Sequence, residues 1–340
     1  MSVATLSETR VHDRTLEFTR DAVLDTIYDT AFDHSPLLAA MLGRLQNQQF
    51  GAVALNGRGN TEQTGGESIF VRHNLGGNTT AKTLTGPWDT VDTSPSDTVR
   101  HSRVNWRHYS ATTTFSDTDM LINRGDSAIS SMIEHETRNA VTSLGDLAAG
   151  HLYSGSTGTQ ATGLQTLAGT GTIQGIDPTV YTTFFSRGLS ARGTAVGTVA
   201  DASGSFAAQG LADMRTLYNN ASEGAVQPHA IYTHWDVFGF YEGTLQPQER
   251  FTNTAVADAG FQQLAFKNAP VFPDAKCPTG EMYTINFDFF KAIVLAGANL
   301  SFGPIVPAID QEARTSKLML KFNDVVFDRR FINKMDTISA

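Results

Sequence analysis

The chain has 340 residues, a length that suits one large or two interlocked domains. Charged residues make up 17% and hydrophobic residues 40%, enough for a core and the reverse of a disordered composition. The net charge is −9 and no run of Lys or Arg occurs, which argues against a surface built to grip phosphates.

The single cysteine, Cys277, excludes an intrachain disulfide and fits synthesis in a reducing cytoplasm. No apolar stretch reaches the ~18 residues of a membrane helix. Residues Met1 to Arg10 lack the basic flank and apolar run of a secretion signal.

In chain order, residues 14 to 44 read as helix, with Leu16, Val23, Ile27 and Ala31 on one side and Pro36 interrupting. Asp13, Glu17, Asp21, Asp25, Asp29 and Asp33 recur every four residues, a slow spiral of acid around that helix. A solvated helix explains the spiral, and so does an arm lying against a basic neighbour. Residues 51 to 66 are rich in Gly, Asn and Thr and read as a loop. Glu67 to Leu75 and Val99 to Phe115 read as strands, separated by a turn-rich stretch with Gly86-Pro87 and Ser94-Pro95. Together they make a long hairpin that cannot bury both faces alone and needs a partner surface. Its cations are Arg72, Lys82, Arg100, Arg103 and Arg107. They and the acids Asp21, Asp25 and Asp29 are the candidate inter-subunit contacts, arm of one copy against hairpin of the next.

Ser116 to Asp119 is a helix-start signal, and Gly125 breaks the short helix it opens. Asp126 begins the strongest helix, running to about Tyr153, with Ile129, Met132, Ile133, Ala140, Leu144, Leu147, Ala148 and Leu152 at helical spacing. It is roughly 40 Å long at 1.5 Å per residue. A second helix spans Gly210 to Glu223, and a third Trp235 to Tyr241. Short strands cover 230–233, 264–266, 271–272, 282–285 and 292–295. Ser316 to Ile338 alternates apolar and polar residues, as one or two long strands do.

Catalytic motifs are missing. There is no Gly-x-Ser-x-Gly elbow and no Gly-Lys pair for a phosphate loop. The nine histidines show no metal-ligand spacing, so no cofactor or metal is expected. Cys277, between Lys276 and Pro278, fits a structural thiol better than a reactive one.

Several local runs carry a resemblance. Val104-Asn105-Trp106-Arg107-His108-Tyr109, Thr112-Thr113-Thr114-Phe115-Ser116-Asp117 and Asn123-Arg124-Gly125 precede the long helix, and His151-Leu152-Tyr153-Ser154-Gly155, Gly163-Leu164 and Gly175-Ile176-Asp177 follow it. Pro228-His229-Ala230-Ile231-Tyr232-Thr233, Phe266-Lys267-Asn268-Ala269-Pro270-Val271-Phe272-Pro273-Asp274 and Met282-Tyr283-Thr284-Ile285-Asn286 come later. In this order they resemble the major capsid proteins of tailed bacteriophages, the α+β Hong Kong 97 (HK97-like) capsid fold, over about residues 40 to 338.

The resemblance implies an N-terminal arm (1–50), an extended β-hairpin or E-loop (51–115) and a peripheral domain with a long spine helix (116–178). An axial domain (179–310) and terminal strands returning to the peripheral domain (311–340) complete it. It implies a non-enzymatic shell protein that assembles with itself into hexamers and pentamers around double-stranded DNA. A separate scaffolding protein is expected, because only about forty residues precede the loop. A portal and, in some relatives, decoration proteins are further partners, and the virion is the destination. Some relatives join a hairpin lysine to an asparagine of the next subunit. Lys82 stands where such a lysine would, with Asn323 and Asn333 as candidate acceptors, but its polar flanks argue for non-covalent shells. An encapsulin-like nanocompartment, a hydrolase without a motif, and a β-rich tail or adhesin protein are the competing readings.

Overall fold

The computed structural model describes residues 35–42, 58–118, 126–155, 158–187, 199–200, 206–245, 264–309, 311–336 and 338. The first half holds helix α1 (Pro36–Leu42), strands β1 (Asn60–Gln63), β2 (Ser68–Asn74), β3 (Val99–Asn105) and β4 (Arg107–Ser116), helix α2 (Asp126–Ser154) and the short α3 (Leu164–Leu167). The second half holds β5 (Val199–Ala200), α4 (Phe206–Asn220), β6 (Ala230–Thr233), α5 (Trp235–Leu245), β7 (Ala265–Phe266) and β8 (Ala269–Pro273). It ends with β9 (Met282–Ile285), β10 (Phe290–Leu295), β11 (Ser301–Phe302), β12 (Val306–Pro307), β13 (Ala313–Val326) and β14 (Ile332–Asp336).

Alternation along β13 organises the first sheet. Leu318, Leu320, Phe322 and Val326 point inward and are buried, while Lys317, Met319 and Lys321 point outward. The sheet runs β1-β10-β13-β11, and β4 and β12 also pair with β13. The long helix α2 lies on the inner face through Leu144, Ala148 and Leu152. Tyr109 of β4 stacks on Phe322 at 5.1 Å in the same core. Each such fully buried side chain contributes roughly 1.5–3 kcal/mol. Leu147, expected inward from its spacing, is 48% exposed. The stripe Ala140, Leu144, Ala148, Leu152 is narrow, and Leu147 falls to one side of it.

The second sheet runs β5-β14-β9-β6-β8-β7. Helices α4 and α5 cover it through Met214, Leu217, Tyr218, Val237 and Tyr241, packed against Ile231, Val271 and Met282. The chain passes from β13 of one sheet to β14 of the other through Arg329. Its buried guanidinium donates to the carbonyl of Leu167 (2.7 Å), left open at the end of α3, and to those of Gly169 and Gly171 (2.9 Å) in the bend that follows. Burial lowers its pKa to about 10, so the charge persists at neutral pH.

Asp274 joins the two halves. Its carboxylate accepts from Ser35 Oγ (2.5 Å), Tyr153 Oη (2.9 Å), the amide of Leu37 (3.4 Å) and the amide of Lys276 (2.9 Å). One buried side chain thus fixes the start of α1, the end of α2 and the loop after β8. Burial raises its pKa against the pull of those donors. Cys277 is buried three residues on and its thiol pKa is pushed well up by burial, which makes it a structural thiol.

Two local readings change. Residues 60–63, expected as loop, form β1 by parallel pairing with Ala292–Leu295. That strand comes from an available edge and not from its own polar sequence. Gly59 enters it at close quarters, since a Cβ there would lie 2.5 Å from Met41 Sδ. The strand expected over Val99–Phe115 is two strands with different partners, broken at Trp106. Val99–Asn105 pairs with Ser68–Asn74, and Arg107–Ser116 pairs with β13. The helix expected from Pro36 to 44 is present over Pro36–Leu42 and wholly buried. The acidic spiral before it lies outside the described residues.

Candidate functional site

Among the described residues the hairpin has few partners of its own beyond its base. Its stalk, β2 with β3, packs one face on the outer side of the first sheet: Ile69, Val71 and Val104 meet Ile293 and Val325. His73 pins the stalk down. Its Nδ1 donates to the carbonyl of Phe327 (3.1 Å), Nε2 meets Ser102 Oγ (2.8 Å), and Phe184 packs edge-on at 5.0 Å. Burial lowers its pKa, so the neutral ring is the one held here.

Beyond Leu75 the hairpin leaves the body. The hydrogen bonds of residues 77–96 stay within that stretch: Ala81 to Asn78, Thr80 to Asn78, Asp89 to Gly86, Thr85 to Asp89 and Ser94 to Asp92. Three large apolar side chains stand in water on this tip, Leu84 at 50%, Trp88 at 96% and Val91 at 66% exposed. A subunit alone gains nothing from an indole in that position.

The cations singled out from sequence separate in space. Arg72 and Arg103 share the outward stalk face with His101 and Phe70, since Arg72 pairs with His101 and Phe70 with Arg103 across the strands. Arg103 pairs with Glu67 at 2.9 Å and lies 5.8 Å over the Phe70 ring. Arg100 turns to the other side, toward Asp97 (3.1 Å) and the hydroxyl of Tyr181 (2.8 Å). Lys82 sits on the tip and pairs with Asp89 at 3.3 Å. Arg107 is not a stalk residue: it belongs to β4, opposite Phe322, on the side that carries Tyr109. The acids Asp21, Asp25 and Asp29 lie outside the described residues.

The candidate acceptor asparagines are inside the body. Asn323 Oδ1 accepts from the amides of Thr162 (3.0 Å) and Asp324 (2.9 Å), and its Nδ2 donates to the carbonyl of Asn105 (2.8 Å). Asn333 is fully buried, with Ser186 Oγ on its Oδ1 at 3.0 Å. Of the titratable groups that meet, Tyr109 and His151 contact at 3.0 Å, with the phenol pushed up to about 12 and the imidazole pushed down, both by burial. Neither shift produces a base poised for neutral pH.

Sequence reasoning missed Trp88, although a tryptophan directly after Gly86-Pro87 in a polar turn is itself a signal. It also missed Asp274, whose partners are up to 239 residues away.

This architecture, two sheets joined by β13 and β14 with a long helix beneath and a hairpin projecting beyond, is the HK97-like fold of phage capsid proteins. The cyanophage A-1(L) capsid asymmetric unit superposes with a TM-score of 0.58 at 13% identity, covering 94% of this chain and 97% of that one. A chain from Mycobacterium phage Ogopogo does so at 0.52 and 12%, covering 95% and 98%. The capsid of a native GTA particle does so at 0.51 and 10%, covering 94% and 97%. No protein-family model and no curated protein matches the sequence.

Proposed function

We propose that this chain is the major capsid protein of a tailed phage. Copies assemble into hexamers and pentamers of an icosahedral or prolate head that encloses double-stranded DNA without reading its sequence. In this reading residues before Ser35 are the N-terminal arm, the β2–β3 hairpin is the E-loop, α2 is the spine helix and the second sheet with α4 and α5 is the axial domain. The subunit is made in the host cytoplasm and ends in the virion. A separate scaffolding protein, a portal and decoration proteins are its companions.

The observation that carries the reading is the tip of the hairpin. Residues 77–96 bond only to one another among the described residues and hold an indole 96% exposed, on a fold whose solved examples include phage capsids. An element of that kind is explained by a neighbour that covers it. Expression of the chain, with electron microscopy of the purified product, tests this. Closed shells or capsomers are expected. Small monodisperse oligomers under all assembly conditions overturn it, and shells packed with host protein cargo instead of DNA favour a nanocompartment.

A further inference from the structure

We propose that Asp324 and Asn60 hold a small monovalent cation, of sodium's size, between them inside the core of the first sheet. Such a site belongs to the single subunit and does not depend on the shell-forming reading.

Strand register builds the site. Asn60 of β1 pairs with Ala292 of β10, and Ala292 pairs with Asp324 of β13. The three therefore form one row across the sheet, with their side chains on one face. That face is the core shared by α1 and α2, where Ala292 lies with Phe322 and Val326. Two strand spacings of ~4.8 Å put the ends of the row roughly 10 Å apart at the backbone, and only the methyl of Ala292 stands between them. The residues at the two ends are polar. Asp324 is 1% exposed, and neither of its carboxyl oxygens has a hydrogen-bond partner among the described residues. The buried Oδ1 of Asn60 has none either. The Asn60 amide is oriented by its Nδ2, which donates to the carbonyl of Leu42 at 3.4 Å and turns Oδ1 away from that carbonyl.

Three acceptor oxygens thus flank one alanine, and one of the two groups carries a charge when ionised. The neighbouring elements do not cancel it. Arg107 stands one row on, opposite Phe322, and makes no hydrogen bond to Asp324. The Tyr109 phenol meets His151 and the amide of Ala161. Glu62, on the next row of β1, is an exposed acid. Helix α1 has no charged residue, and Phe290 and Val294 beside Ala292 are apolar. A water molecule satisfies two of the three oxygens but leaves a buried charge, whereas a cation takes all three and cancels it. One carboxylate calls for one positive charge, and among the described residues no three His, Cys, Asp or Glu side chains gather for a divalent metal. Sodium has about the radius of calcium, which takes oxygens at ~2.3–2.6 Å, so one such ion bridges the row when both side chains lean over Ala292. Cation and proton compete for the same carboxyl, so binding strengthens as pH rises.

The test uses the purified full chain. Urea unfolding is followed at about pH 8 in sodium chloride and in choline chloride of equal ionic strength, choline being too large to enter the core. Sodium at ten times its dissociation constant should shift the unfolding equilibrium about tenfold toward the native state. Asp324→Asn keeps the shape of the side chain, and its stability should be the same in both salts. Equal stability of the parent in the two salts overturns the site, because the carboxyl then keeps its proton instead. An equal sodium gain in Asp324→Asn overturns it too, because the gain is then a general effect of salt. Should that variant fail to fold, proton release from the parent decides. Sodium added in weak buffer should free protons where choline frees none, and no difference between the two overturns the site. Asn60→Asp tests the second ligand. With two carboxylates in the row, millimolar calcium should stabilise this variant and not the parent, and a variant indifferent to calcium overturns the pairing of Asn60 with Asp324.

Discussion

Asp324 is a buried acid without a partner among the described residues. It lies on the inward face of β13 between Phe322 and Val326, is 1% exposed, and neither carboxyl oxygen has a hydrogen-bond partner among the described residues. Burial raises its pKa well above the ordinary carboxylate value. The sign of the linkage follows. Above the unfolded-state pKa the native state holds a proton that the unfolded state has released, so stability falls as pH rises through that window and recovers as pH drops. Asp324→Asn keeps the shape and removes the titration. The variant should gain on the parent by up to ~1.4 kcal/mol per pH unit between about pH 5 and pH 8. Urea unfolding of both proteins at those two pH values checks this, and a difference independent of pH would place Asp324 in a polar environment. Asp274 is the contrast. It is just as buried, but four donors surround it, and it fixes three separate parts of the chain.

At the scale of elements the hairpin divides into an anchored stalk and a free tip. The stalk is held by an apolar face on Ile293 and Val325 and by His73, while the tip contributes no contact to either core cluster. Deleting Gly76 to Ser96 and closing the gap with a short turn should therefore leave the thermal midpoint of the isolated subunit within a few degrees of the parent's. Assembly should be lost. Calorimetry of the subunit and electron microscopy of the product read the two halves of this prediction. Normal shells from the deleted chain would remove the hairpin from any role as a clasp. The long helix differs from the hairpin in kind: its stripe Leu144, Ala148, Leu152 is inside the core, so substitutions there act through stability.

For the whole molecule, assembly multiplies weak contacts. The outward stalk face carries Arg72, His101 and Arg103, and the sequence before Ser35 carries the acidic spiral with Asp21, Asp25 and Asp29. An attraction between arm and stalk of neighbouring copies would add only ~0.2–1 kcal/mol per exposed pair, so its effect lies in the number of copies. Light scattering during assembly should show a rate that falls as salt rises from low to physiological strength, because screening acts on these exposed charges. A rate that rises with salt would leave apolar contacts as the driver. Covalent joining is not expected. Lys82 is paired with Asp89 on the exposed tip, while the carboxamides of Asn323 and Asn333 are buried inside the body. Mature particles boiled in detergent should run as one band at the mass of a single chain. A ladder that vanishes in Lys82→Arg would show that this lysine finds another carboxamide.

What the amino-acid sequence determined by itself is what short-range periodicity encodes. The repeat of Ala140, Leu144, Ala148 and Leu152 specifies a long amphipathic helix, and the alternation from Leu318 to Phe322 specifies a strand with one buried face. Trp106, where one strand was expected, marks a change of partner that only pairing reveals. β1 has no pattern of its own and exists because β10 offers an edge. The cations of the hairpin region could be found by eye, but which of them share a face depends on register, and register sends Arg107 to another sheet. Asp274 looks like any loop aspartate until Ser35, Leu37 and Tyr153 arrive around it. Lys317-Leu318-Met319-Leu320-Lys321 predicts an outward face, yet whether that face is covered or open depends on how far the stalk reaches along β13. Local sequence sets the period of side chains along a backbone; the long-range packing of one element on another decides which of those side chains remain in water.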